Sequence, residues 1–416
     1  MKTLVRLSLA VILAAGLTTG LFANGLNLNG NGSKANAMGG AFVGLANDFS
    51  AAFWNPAGLA QMTKASLSIY GADILPFGTY QFGLAGIDAK STFKHYLIPG
   101  LGYFQPLGEK IVVGVYLNAP SGAGAVWDGE DLAPLVGGVY DWSSKLGILT
   151  ISPSIAVKVT EQIMLGATID INYGMLKMAQ PAASIGQYSE DLKGWAVNGT
   201  FGLLVKPVEQ FSFGVTYKLP FTAKLKGDAT IPETTAAYFG VESMATGTRS
   251  ANWPSWLAAG IAVKPTDKLT FTADVQHTNW EKLQTIPIAF TDLEWEGFFG
   301  EDAPLDQAYQ LLWKNTTQFR FGIEYMASKC LALRAGYYFD PNPGPVDTQN
   351  VLLPEFKYNF VTLGFGYMSE KVVIDFSVEY GMGEDVVVPP GVYVDAMPGT
   401  HGMKIVAPSL SFTYRF

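Results

Sequence analysis

Apolar and polar residues alternate with a period of two through fourteen stretches of this chain, the spacing that gives a β-strand one greasy face and one polar face. The stretches fall near residues 65–75, 93–106, 110–119, 144–159, 162–178, 194–206, 210–226, 254–265, 268–280, 316–327, 330–340, 356–368, 371–382 and 403–416. Their connections are of two kinds. Six are short, around Gly108-Glu109, Thr160-Glu161, Pro207-Val208-Glu209, Thr266-Asp267, Ala327-Ser328-Lys329 and Ser369-Glu370. Seven are long, near 76–92, 120–143, 179–193, 227–253, 281–315, 341–355 and 383–402. Short and long alternate strictly. An even number of up-and-down strands, with tight turns at one end and long loops at the other, is the layout of an all-β, 14-stranded antiparallel transmembrane β-barrel.

The alternation also assigns faces. In 371–382, Val372, Ile374, Phe376, Val378 and Tyr380 point to lipid, and Val373, Asp375, Ser377 and Glu379 to the lumen. In 162–174, Ile163, Leu165, Ile169, Ile171 and Tyr173 point out, while Thr168, Asp170 and Asn172 point in. The same parity sends Asp274, Gln276, Gln318, Arg320, Glu324, Arg334 and Asp340 inward. An Arg or Lys on the lipid face would cost ~2–4 kcal/mol at the bilayer midplane, so only this assignment is tolerable.

Both termini fit an exported barrel. At the C-terminus, Leu410, Phe412, Tyr414 and Phe416 alternate with Ser409, Ser411, Thr413 and Arg415, and a Phe-rich edge left unpaired would invite aggregation. Pairing of the last strand with the first removes that edge, and the terminal Phe suits recognition by the barrel-assembly machinery. At the N-terminus, Lys2 and Arg6 precede an apolar run from Leu7 to Leu17 and small residues up to Ala23, which reads as a signal peptide over 1–23. After it, no apolar run reaches the roughly 18 residues of a membrane helix. The expected location is the outer membrane of a Gram-negative bacterium. The net charge of −8 argues against a nucleic-acid partner. Cys330 is the single cysteine and the three histidines are scattered, so no metal or other cofactor is expected.

Residues 24–62 precede the barrel proper, 63–416, and do not alternate. A Gly/Asn-rich stretch runs from Asn24 to Gly32; small residues dominate Met38 to Asp48; then comes Phe53-Trp54-Asn55-Pro56-Ala57-Gly58-Leu59. Asn55 suits a helix N-cap and Pro56 the first helical position, predicting a short helix from Pro56 to about Met62. Phe42, Phe53, Trp54 and Leu59 are too apolar for a solvated tail, so the segment is expected inside the lumen as a partly helical plug.

In order and spacing, these features resemble the outer-membrane long-chain fatty acid and aromatic hydrocarbon transporters of the FadL/TodX type. The resemblance is carried by Gly39-Gly40-Ala41 with Asn55-Pro56-Ala57-Gly58, by Val113 to Tyr116 leading to Ala119-Pro120-Ser121-Gly122, and by Tyr217-Lys218-Leu219-Pro220 through Ala229. It continues through Trp253-Pro254-Ser255 to Asn279-Trp280, then Phe321 to Tyr325, Leu333 to Tyr337 and Asp340 to Pro343. It implies an N-terminal hatch with Asn55, Pro56, Ala57 and Gly58 as its motif. It also implies capture of hydrophobic small molecules at an external groove, passage to an internal pocket, and release sideways into outer-membrane lipid beneath the lipopolysaccharide. The lateral exit would sit at a kinked third strand, with Gly114, Asn118 and Pro120 as the kink residues; the same residues equally suit that strand's outer end.

Several residues admit two readings. Phe53 and Trp54 line a ligand pocket or merely pack the plug. Arg320 and Arg334 meet a ligand carboxylate or join an internal network with Glu324, Asp274 and Asp375; the network is favoured because unpaired lumen charge is costly. The loop 281–315 is the longest, and a short helix from Ala303 to Trp313 is expected there, with Leu305, Tyr309 and Leu312 on one side. The favoured function is passive import of long-chain fatty acids or similar lipids by a monomer. The alternatives are aromatic hydrocarbon import and a structural or adhesive barrel binding through its loops. An enzyme would need His277 or His401 beside a Ser or Asp at the outer rim, and none is expected.

Overall fold

The structure, a computed structural model, describes residues 25–416 except 29, 183 and 392–395; the expected signal peptide lies outside the described residues. Fourteen antiparallel strands close into a barrel. They are β1 (Ser66–Phe82), β2 (Tyr96–Leu107), β3 (Ile111–Trp127), β4 (Trp142–Lys158), β5 (Ile163–Ala182) and β6 (Gly186–Val208). Next come β7 (Phe211–Lys218 continued by Phe221–Thr230), β8 (Met244–Trp253 continued by Trp256–Thr266), β9 (Leu269–Thr278) and β10 (Thr316–Met326). The ring ends with β11 (Leu331–Asp340), β12 (Tyr358–Met368), β13 (Val372–Gly383) and β14 (Gly399–Arg415). β14 closes on β1 from Ser66↔Arg415 to Gln81↔Thr400, and the Phe416 N–H donates to Ala65 O at 2.9 Å. The aggregation-prone C-terminal edge is thereby paired.

The faces follow the alternation. Asp170, Asp274, Arg320, Glu324, Arg334 and Asp375 are buried in the lumen, while Ile169, Phe271, Phe321, Leu333 and Leu363 are exposed on the outside.

Several strands run further out than the alternation predicts. The expected loop over 179–193 is a tight turn, because β5 and β6 pair up to Ala182↔Gly186. The expected loops at 76–92, 120–143 and 227–253 likewise shrink as β1, β3, β7 and β8 lengthen. The reason is a reversal of polarity along the wall. In β4, Trp142, Leu146 and Ile148 face inward at the outer end, whereas Ser152 and Ser154 do so nearer the periplasm. In β6, Tyr188 and Leu192 are buried inside and Lys193 is exposed. Above the bilayer the outer face meets water and the inside packs against loops, so the apolar face is the inner one. In β6 the greasy-out alternation stops at residue 194, where that reversal begins, whereas in β4 an alternation of period two runs on through it.

The expected helix over Ala303–Trp313 is absent from its place. The long loop instead carries a helix at Leu293–Phe299, N-capped by Asp292, whose Oδ1 accepts the N–H of Glu294 and Trp295 at 3.0 and 2.9 Å. Positive φ at Asp302 and Leu312 and the proline at 304 interrupt any helix further along.

Residues 26–61, leaving aside 29, lie within the barrel. They form two short helices, Ser33–Ala37 and Ala51–Trp54, and a 3₁₀ turn, Pro56–Gln61, where the sequence predicts a helix from Pro56. Wall glycines admit this backbone at close range: a Cβ on Gly166 would overlap Pro56, one on Gly214 would overlap Val43, and one on Gly336 would overlap Gly39.

Candidate functional site

Asn55 is the anchor of the luminal segment. Its Oδ1 accepts the Ala57 N–H at 3.2 Å, and its Nδ2 donates to Val43 O at 2.9 Å and to Leu203 O on β6 at 3.0 Å. One buried amide thus caps the 3₁₀ turn, ties it to the preceding turn and fixes both to the wall. Pro56 takes the position whose N–H would go unpaired. Gly58 packs so closely on Ala46 that any side chain would overlap its carbonyl. A second anchor is Asp274, whose Oδ2 accepts the Val43 N–H at 2.7 Å.

The two arginines sit in different settings. Arg334 donates from Nε to Glu324 at 2.7 Å and from a terminal nitrogen to Asp375 at 2.6 Å, and Lys34 of the luminal segment lies 3.6 Å from the same Glu324. Its guanidinium is committed to those carboxylates. Arg320 donates to Gly39 O at 3.2 Å and to Gln318 Oε1 at 2.8 Å, and lies over the rings of Trp54 and Tyr338 at 5.3 and 4.6 Å. It borders a cavity shared by the luminal segment and the wall.

That cavity has about 480 Å³ of empty space, mouth included. Phe53 and Trp54 form its floor, in edge contact with each other at 5.0 Å, and Trp256 approaches Phe53 at 6.2 Å. Phe221 and Trp253 stack at 5.7 Å above them. One ammonium enters this aromatic box: Lys218, 5.2 Å from the Phe53 ring centroid, its side chain only 13% exposed. Its counter-ion, Asp170, is 3.7 Å away and also accepts hydroxyl protons from Ser152, Thr168 and Thr200 at 2.6–2.9 Å. The ion pair is therefore loose on the lysine side, because the carboxylate's acceptor capacity is largely taken. The free space within it holds about one water, too little for an organic ligand unless the aromatic side chains move aside.

The cavity coincides with breaks in the wall. β7 and β8 are interrupted side by side at Leu219-Pro220 and Pro254-Ser255, and both prolines lack the N–H a ladder needs. In β3, pairing with β4 shifts register between Asn118 and Ser121, around Pro120, whereas Gly114 pairs regularly with both Phe104 and Ser154. The irregularity in β3 thus lies at Asn118–Ser121 and not at Gly114. Beyond Leu101↔Leu117, β3 no longer pairs with β2, whose outer residues pair with β1 only. A strand has two edges, and β4 occupies one of them. The Leu28 N–H donates to Pro120 O and the Gly122 N–H to Leu26 O, each at 2.9 Å. The N-terminal segment therefore covers the edge of β3 that β2 leaves free at Pro120–Gly122, and further out the Thr92 N–H donates to Val126 O at 2.7 Å.

A family model for outer membrane protein transport proteins (OMPP1/FadL/TodX) matches residues 14–416. The chain belongs to this family. As a family member it is an outer-membrane β-barrel of Gram-negative bacteria that transports hydrophobic compounds. It is 22% identical to outer membrane protein P1 of Haemophilus influenzae, over 85% of each chain. Among solved structures, a Pseudomonas aeruginosa FadL homologue shares the fold at a TM-score of 0.74 and 20% identity, covering 96% of this chain and all of that one. The Pseudomonas putida toluene transporter TodX does so at 0.75 and 17%, covering 94% and 99%.

Sequence reasoning singled out Phe53, Trp54 and Arg320, which border the cavity together, and Arg334, which does not. It named Lys218 and Trp253 only within the family motifs, and assigned neither of them nor Trp256 to a site. The usable signal was a lysine and two tryptophans next to Pro220 and Pro254, where a strand pattern is interrupted.

Proposed function

We propose that this chain is a passive importer of long-chain fatty acids or similar lipids with an acidic head group. The observation that carries the reading is the half-buried Lys218 ammonium over the Phe53 ring, in a cavity lined by aromatic side chains. A neutral hydrocarbon has no use for that charge, whereas a carboxylate gains a charge-assisted hydrogen bond in a site of low dielectric. Phe53 and Trp54 line the route, residues 24–62 act as its hatch, and Asn55 to Gly58 hold the hatch to the wall. The break at Asn118–Ser121, beside the edge of β3 that β2 leaves free, supports release sideways into the membrane. Transport runs down a gradient, captured ligand entering from the extracellular loops. The chain acts as a monomer after insertion by the barrel-assembly machinery through the strand ending at Phe416.

Aromatic hydrocarbon import is the second reading, favoured by the stacked Phe221–Trp253 pair. Uptake of labelled oleate and of toluene into bacteria lacking their own hydrophobic importer separates the two. The native chain should import oleate, and replacing Asn55, Pro56 and Ala57 by glycine should weaken that uptake. Toluene uptake alone moves the assignment to hydrocarbons; neither, from a correctly assembled barrel, refutes both and leaves the adhesive reading.

A further inference from the structure

The loop between β11 and β12 crosses the outer lumen. It leaves the wall at Asp340 and returns at Tyr358, yet its tip bonds to β3 and β4 on the far side of the ring. The Trp127 Nε1–H donates to Val351 O at 2.9 Å, and the Ser144 hydroxyl donates to Leu352 O at 2.5 Å. Asn350 shapes the tip, its Oδ1 accepting the N–H of Leu352 and Leu353 at 2.9 and 2.8 Å. The side chains of Val351, Leu352 and Leu353 are buried in one apolar cluster that includes Trp127, Trp142 and Leu146 and reaches Trp253 at the mouth of the inner cavity.

Chemically, the tip is an amphiphile held in a site. It offers acceptor oxygens to two wall donors and branched alkyl groups to an aromatic wall. A hydrophobic molecule coming from outside meets this obstruction before it reaches the cavity at Phe53. We propose that the outer lumen is a second binding site, distinct from the Lys218 cavity, which the chain fills with its own Val351–Leu353 and which an incoming amphiphile takes by displacing them. The ligand class is an aliphatic or aromatic-aliphatic chain bearing a carbonyl or carboxylate oxygen, for which Trp127 Nε1 and the Ser144 hydroxyl are the donors. The choice of amphiphile rests on the import reading above; the displaceable tip does not.

Two measurements test it, both in a Cys330→Ser background, since Cys330 is an exposed free thiol. In the first, Ser144→Cys with Leu352→Cys is oxidised to tether the tip to β4. Oleate uptake should fall at least tenfold and recover on reduction; equal uptake by the tethered and reduced forms overturns the proposal. In the second, Leu146→Cys, one inward position deeper on β4 than Ser144, is labelled from outside by a bulky membrane-impermeant maleimide. Replacing Val351, Leu352 and Leu353 by glycine should speed labelling at least tenfold, and added oleate should alter the labelling rate of the chain with its native tip. Unchanged labelling in both arms overturns the proposal whatever the chain imports. Should the native chain import no oleate while the glycine variant labels faster, the import reading fails and the movable tip stands. Heat-modifiable migration on gels verifies that each variant is an assembled barrel.

Discussion

Replacing Lys218 by methionine separates acid from hydrocarbon transport most cleanly. Methionine keeps most of the length and apolar bulk, so the packing against Phe53 persists while the ammonium is lost. Asp170 keeps its three hydroxyl donors, so the wall should still assemble. A hydrogen bond between charged partners contributes about 1.5–3 kcal/mol net, and about 1.4 kcal/mol is tenfold in affinity. Lys218→Met should therefore weaken oleate binding by roughly 10- to 150-fold while leaving toluene binding within about twofold. The assay is equilibrium binding of labelled oleate and toluene to detergent-solubilised barrel, with oleate methyl ester as the uncharged comparison. The methyl ester should bind native and variant chains alike. An oleate affinity that stays within twofold on losing Lys218 would refute the argument that this ammonium reads an acidic head group.

The remaining predictions concern the hatch and its supports. Gly202 faces Asn55 and Pro56 too closely for any Cβ, whereas a Cβ on Gly83 meets open space, so Gly202→Leu should cost about 1–3 kcal/mol through overpacking and Gly83→Ala much less. Entry of a large antibiotic through the loosened barrel is the readout, and equal sensitivity of the two variants would contradict the close docking. Arg334→Met strands Asp375 in the lumen and leaves Glu324 with Lys34 alone, and should destabilise the barrel by about 3–5 kcal/mol in urea unfolding, whereas adding Asp375→Asn should recover most of that loss. Failure of the double variant to recover would mean that the arginine does more than balance charge.

The sequence by itself determined the number of strands, their order and their faces. Each follows from a local rule: side chains alternate along a strand, and charge beside lipid is too costly to keep. Asp170, Asp274, Arg320 and Arg334 were legible as luminal because their neighbours in the same strands are Ile169, Val275, Phe321 and Leu333. The Asn55-Pro56 cap was legible for the same reason, since its hydrogen bond closes within three residues. Only the tertiary structure decided which luminal groups meet. Arg334 found its carboxylates on β10 and β13, and Lys218 was brought over Phe53 from more than 160 positions away in the chain. The outer end of β6 was hidden because above the membrane solvent and packed interior exchange places, and the polarity pattern reverses with them. The crossing of Val351–Leu353 to Trp127 and Ser144 was hidden more deeply. A loop's own residues state that it is apolar, but the wall it packs on exists only once the barrel has closed.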